Sequence, residues 1–339
     1  MNRKKLVAFD YLRVIALGMI VYDHLGGFYN PNWWIKRFVD FFFAIPLNII
    51  QDFGAFGVSL FFLISGFLFS YNGNYNNEYR RATRKMIKIY VGCIISFLSF
   101  LIVQKIVWLL KPTYWSQFSM KQWIESITLI GYFTGNGDVI NGTTWFLIPL
   151  FWFYIVRIGY AWLHEKLRVE MNILCVEIFL AVLMVGLKIF QCKSASWLVF
   201  VYMPAAGMIL GEMFRENSKL SMKRGIALFL INYSIMIICF WEFAKNYCDT
   251  SLYFVSFMYS VALVILFIML KDRFEENKII VFLCKISLSV YLTHMTFGSF
   301  LLTVCSAIKI PFTVSFLITM GVIVVLSYVH MKVMNAIVK

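Results

Sequence analysis

Asp10, Arg13 and His24 are ionisable side chains inside one apolar run from Leu6 to Phe28. A run of that length crosses a bilayer as a helix, where a charge is costly unless it is paired or wetted. Asp10 precedes Arg13 by three residues, close enough on a helix to pair with it. His24 follows Arg13 by eleven residues. At about 100° per residue this is roughly three turns plus 20°, so the two side chains share a face, roughly 16 Å apart along the axis. A guanidinium grips phosphate with parallel hydrogen bonds, and an imidazole exchanges protons near neutrality. The stripe is either the wall of a cavity or a buried structural network in which His24 packs and Arg13 snorkels.

The elements that carry this stripe are membrane helices. Of 339 residues, 61% are hydrophobic and 14% charged, and mean hydropathy is +0.78. Such a chain is an all-α polytopic integral membrane protein. Ten spans are expected, at about 6–28, 53–71, 87–110, 143–163, 171–190, 196–214, 225–245, 251–270, 279–305 and 311–335. With the N-terminus inside, nineteen Lys and Arg fall in cytoplasmic segments and nine in outer segments and their flanks. The positive-inside rule then puts both termini in the cytoplasm. Arg13, Arg157 and Lys285 remain, each within or bordering a span. The first apolar run is too long for a cleavable signal peptide and lacks a cleavage pattern.

The net charge of +14 sits in short loops between spans, which argues against nucleic acid as a partner. The seven cysteines stand singly, without metal-ligand spacing, so neither a metal site nor a disulfide framework is expected. Two long outer segments, 29–52 and 111–142, carry Trp33, Trp34, Phe41, Trp115, Trp123 and Tyr132 and are expected to lie along the outer interface.

Further candidates lie along the chain. Ser65 and Gly66 sit mid-span in Phe61-Phe-Leu-Ile-Ser-Gly-Phe67, where small residues permit close helix approach. Arg80, Arg81, Arg84, Lys85 and Lys88 crowd a span entrance, either as topological charges or as a polyphosphate grip. Trp145 opens the fourth span and also suits an aromatic belt. The ninth carries Tyr291 and His294. His294 lies about fifteen residues from the cytoplasmic end of its span and His24 about eighteen from its own. Both helices run outward, so the two imidazoles are expected at similar depth, facing one pocket.

Taken in order, Asp10-Tyr-Leu-Arg13 with His24, Phe61 to Phe67, the Arg80–Arg84 cluster, Trp145-Phe-Leu147 and Ser287-x-x-x-Tyr291-Leu-x-His294 resemble the membrane-bound acyltransferase-3 family. That family O-acylates cell-surface glycans and related acceptors. Many members carry a Glu shortly after the fourth-helix Trp, whereas here Trp145 is followed by Phe-Leu-Ile-Pro. The resemblance implies one transmembrane acyltransferase domain over 1–339, without an appended soluble domain, in a bacterial plasma membrane.

It further implies an acyl-CoA co-substrate, most often acetyl-CoA, with no tightly bound cofactor and no metal. Arg13, Ser65, Arg80, Arg81, Arg84 and Lys85 would bind the donor. His24 would be general base, or less simply an acyl carrier, with Asp10 holding Arg13. Trp145, Tyr291 and His294 would line the pocket. The acceptor would be a glycan or lipid-linked saccharide. The competing class is a non-enzymatic flippase or exporter of a lipid-linked glycan using the same cationic stripe; turnover of a thioester separates the two.

Overall fold

The computed structural model describes residues 6–49, 53–110, 118–137, 140–167, 172–192, 195–244 and 249–338. In chain order the helices are α1 (Val7–Val21), α2 (Trp34–Val39), α3 (Gly54–Tyr71), α4 (Glu78–Leu110), α5 (Met120–Thr128), α6 (Gly131–Thr134) and α7 (Leu147–Leu167). There follow α8 (Asn172–Ile189), α9 (Ala195–Leu198), α10 (Tyr202–Phe214), α11 (Met222–Phe243), α12 (Thr250–Met269), α13 (Lys278–Ala307) and α14 (Phe312–Ile337). Among the described residues there is no strand. Among those residues, eight helices are long and apolar enough to cross a membrane. The other two expected spans coincide with α1, whose α-helical part is 15 residues long, and with α8, which has 18.

The centre of the bundle is α3, packed on α10, α1 and α12. Its window is 72% buried and that of α10 83%, against 22% for α11 and α14, so the last two form the lipid-facing rim. Backbones at the centre nearly touch. A Cβ on Gly66 would overlap the Pro204 carbonyl oxygen, and one on Gly207 the Leu63 carbonyl oxygen. Without a water-driven hydrophobic term between helices in lipid, such close packing is what holds them. α13 pairs with α14 and with α1. Buried His330 ties three helices: its Nε2 lies 2.8 Å from the Gly92 carbonyl oxygen, and its Nδ1 lies 2.9 Å from Ser289 Oγ.

Three local features depart from the expected pattern. After Val21 the first helix continues as a π-helical turn, Tyr22–Gly27. The Arg80–Lys88 cluster belongs to the first turns of α4, not to a loop before it. The second outer segment does not lie flat. Trp123 is buried, edge-on to Phe97, and Tyr90 donates 3.0 Å to the Ile127 carbonyl, so α5 folds back along α4. Trp115 lies outside the described residues. In the first segment Trp33 is buried, donating 3.0 Å to Thr313 Oγ1, while Trp34, Phe38, Phe41 and Phe42 are exposed.

Candidate active site

The π turn decides where His24 points. Such turns add a residue to the helical repeat and recur at functional sites. Here the turn brings His24 Nδ1 within 2.8 Å of His294 Nε2 on α13. The ring planes differ by 14° with centroids 5.1 Å apart. That separation equals the nitrogen–nitrogen contact plus two ring radii, so the imidazoles meet edge to edge.

Protonation follows from the partners. His294 Nδ1 lies 2.7 Å from the Tyr291 carbonyl oxygen, which only accepts, so Nδ1 carries a hydrogen. In a neutral ring its Nε2 is then a lone pair, and His24 Nδ1 must donate to it. This leaves the lone pair of His24 on Nε2. His294 is fully buried, whereas the His24 side chain keeps 24% of its surface and neighbouring Asp23 keeps 20%. The open nitrogen is therefore His24 Nε2, with Asp23 Oδ2 3.5 Å from it.

On the same helix, Arg13 Nη1 lies 3.4 Å from Asp10 Oδ1. Cys284 of α13 donates from Sγ to that oxygen over 3.3 Å. Arg13, Ser65 and Lys85 line two adjoining cavities. One, of about 210 Å³, is polar and collects Arg13, Arg81, Lys85 and Arg157 around Glu78. The other, of about 270 Å³, runs past Phe61, Phe146, Leu150, Tyr154 and Cys284 to Tyr291.

Buried Glu78 is shared by two guanidiniums, Arg157 at 2.5 Å and Arg81 at 2.8 Å. Arg157 also lies over the rings of Phe69 and Tyr154, at 4.7 and 5.0 Å. The Nε of Arg81 and of Arg157 are buried and make no hydrogen bond among the described residues. The cavity lining thus carries four cations and Glu78, with Asp10 paired to Arg13 from outside the lining, which leaves it net positive. The loop at its rim is latched. Tyr75 donates 2.9 Å to Glu212 Oε1, and Arg215 pairs with Glu212 Oε2 at 2.7 Å. Burial, then Tyr160 and Glu212, push the Tyr75 phenol well above its ordinary range, so it remains a donor.

A family model described as an acyltransferase domain, acyltransferase-3, matches residues 6–332. The chain belongs to the acyltransferase-3 family. It is a multi-pass membrane acyltransferase. Comparison with curated proteins and with solved structures finds no match.

The residues singled out for this acyltransferase fall into three groups. Asp10, Arg13, Ser65, Arg81 and Lys85 gather at the two cavities, and His24, His294 and Tyr291 at the outer end of the stripe. Tyr291, one turn before His294, is pinned by its hydroxyl to the Thr143 carbonyl at 2.6 Å. Arg80 and Arg84 are exposed and line neither cavity. Positions 81 and 85 share one face of α4, and 80 and 84 are turned about 100° away. Trp145 also lines neither, packing at a tilt against Phe200 and Trp197 with ring centroids 4.6 and 5.7 Å away. Sequence reasoning gave no role to Arg157, Glu78, Asp23 or Cys284. Of these, Arg157 carried a signal as a lone cation in an apolar span, and Asp23 as an acid inside the first apolar run.

Proposed function

We propose that this acyltransferase moves an acyl group, most simply acetyl, from acyl-CoA to a hydroxyl of a cell-surface or lipid-linked glycan. The observation that supports this reading is the path of two adjoining cavities. It starts at four cations, passes Arg13 and Ser65, and ends at Tyr291, one turn below the His24–His294 pair. The phosphates of the donor would pair with Arg13, Arg81, Lys85 and Arg157, and its pantetheine arm would run through the half-apolar second cavity. With both termini cytoplasmic, the donor enters from the cytoplasm and the acceptor arrives at His24 from outside.

His24 Nε2 takes the hydroxyl proton as that oxygen attacks the thioester carbonyl carbon. The carbon–sulfur bond then breaks, and the departing thiolate recovers the proton from His24. The positive charge held meanwhile by His24 is shared through Nδ1 with His294, whose own Nδ1 is anchored on a carbonyl. Asp10 keeps Arg13 directed at the cavity.

Sealed vesicles of both orientations, labelled acetyl-CoA and an unacylated glycan test the reading. Inside-out vesicles with acetyl-CoA outside should label only glycan trapped in the lumen. Label that appears only when donor and acceptor share a compartment would refute the through-membrane path. No transfer to any glycan hydroxyl would refute the acceptor assignment.

A further inference from the structure

His24 has a charged neighbour on its own turn. Asp23 Oδ2 lies 3.5 Å from His24 Nε2, and both side chains keep part of their surface, 24% for His24 and 20% for Asp23. Its carboxylate is held from behind by the start of α3: Phe53 takes a left-handed conformation with φ 69°, and a Cβ on Gly54 would overlap Oδ2. The helix N-terminus favours a negative charge there. A carboxylate beside the lone-pair nitrogen of a general base, with a fifth of its side chain still open, is placed to meet whatever hydroxyl that nitrogen meets.

We infer that Asp23 is an acceptor-binding residue, and that the acceptor carries at least two neighbouring hydroxyl groups, as a sugar ring or polyol does. One hydroxyl donates to His24 Nε2 and attacks, while its neighbour donates to the Asp23 carboxylate and fixes the attack angle. When the proton has moved to Nε2, the same carboxylate faces the imidazolium. A carboxylate can accept from a diol with both oxygens, whereas a simple alcohol would leave one of these contacts unmade. Among the described residues, the ionisable groups in contact with the His24 ring are Asp23 on its own turn and His294 on α13, and the start of α3 lies against Asp23 through Gly54. This inference rests on His24 acting as base.

The test compares wild type, Asp23→Asn, Gly54→Ala and His24→Ala in membranes. Labelled acetyl-CoA is the donor, and unacylated glycan from a deletion strain is the acceptor. Asp23→Asn keeps the side-chain size and should keep acetyl-CoA affinity. Its acceptor KM should rise about tenfold or more, the low end for a lost charged hydrogen bond. Because the base itself is untouched, kcat should fall less than the acceptor KM rises. Gly54→Ala displaces the carboxylate without removing its charge and should raise acceptor KM as well.

Wild-type acceptor KM in both Asp23→Asn and Gly54→Ala, with His24→Ala inactive, overturns the inference and leaves the base assignment intact. An active His24→Ala overturns the base assignment itself.

Discussion

His24 and His294 are 270 residues apart in the chain, yet their rings share a 2.8 Å nitrogen–nitrogen contact. One tautomer satisfies it, because His294 Nδ1 is committed to the Tyr291 carbonyl. In the proposed reaction the pair would act as a single proton-accepting unit, with its lone pair on His24 Nε2. His24→Ala should insert and fold yet lose acyl transfer by roughly 10²-fold or more, the scale of a lost general base. His294→Ala should lose less, since Nε2 of His24 survives while its orientation does not. Transfer assays normalised to folded protein check both; an equal or larger loss in His294→Ala would move the base to that residue.

At the other end of the stripe, Arg13→Lys should not be conservative. A point charge cannot reproduce the planar fork. Acetyl-CoA affinity should fall about tenfold with protein level retained, a loss of the order of one charged hydrogen bond. The same change at Arg157 should also weaken the donor, whereas Arg80→Lys and Arg84→Lys should leave it unaltered. Ligand titration on purified protein in detergent distinguishes the two pairs.

Glu78 neutralises two guanidiniums in a buried setting. Glu78→Ala leaves them facing each other and should destabilise the protein by about 3 kcal/mol, as removal of one partner from a buried ion pair does. Thermal melting should show partial recovery when an anion such as pyrophosphate occupies the cavity. Melting unchanged from wild type would mean that the cluster is hydrated and weakly coupled.

Gly66 stands against the backbone of α10, so even one methyl group must separate the two central helices. Gly66→Ala should lower the melting temperature sharply, and Gly66→Leu should prevent accumulation of folded protein. Gly159, with open space around its Cβ position, should accept Ala without cost. Fluorescence-detected gel filtration of the three variants reads the difference.

Topology reporters placed after Asn74 and after Glu216 should report cytoplasm, and a reporter after Asn136 the opposite side. A reversed result in either of the first two positions would contradict cytoplasmic termini.

The all-helical membrane class was determined by composition alone, because no other solvent suits long apolar runs. The family was equally legible in its motifs, and the Asp10–Arg13 pairing in a three-residue helical spacing. The remaining features needed the folded chain. The π turn at Tyr22–Gly27 has no reliable sequence signature, and it re-aims His24 toward His294. The division of the cationic cluster into Arg81 and Lys85 on one face, Arg80 and Arg84 on another, followed from α4 starting at Glu78. Glu78 with Arg157, and Asp23 with Gly54, are encounters between distant segments. Local spacing specifies which side chains share a face of one helix. Which faces of different helices meet is decided by backbone-to-backbone packing at positions such as Gly66 and Gly207, which only the tertiary structure displays.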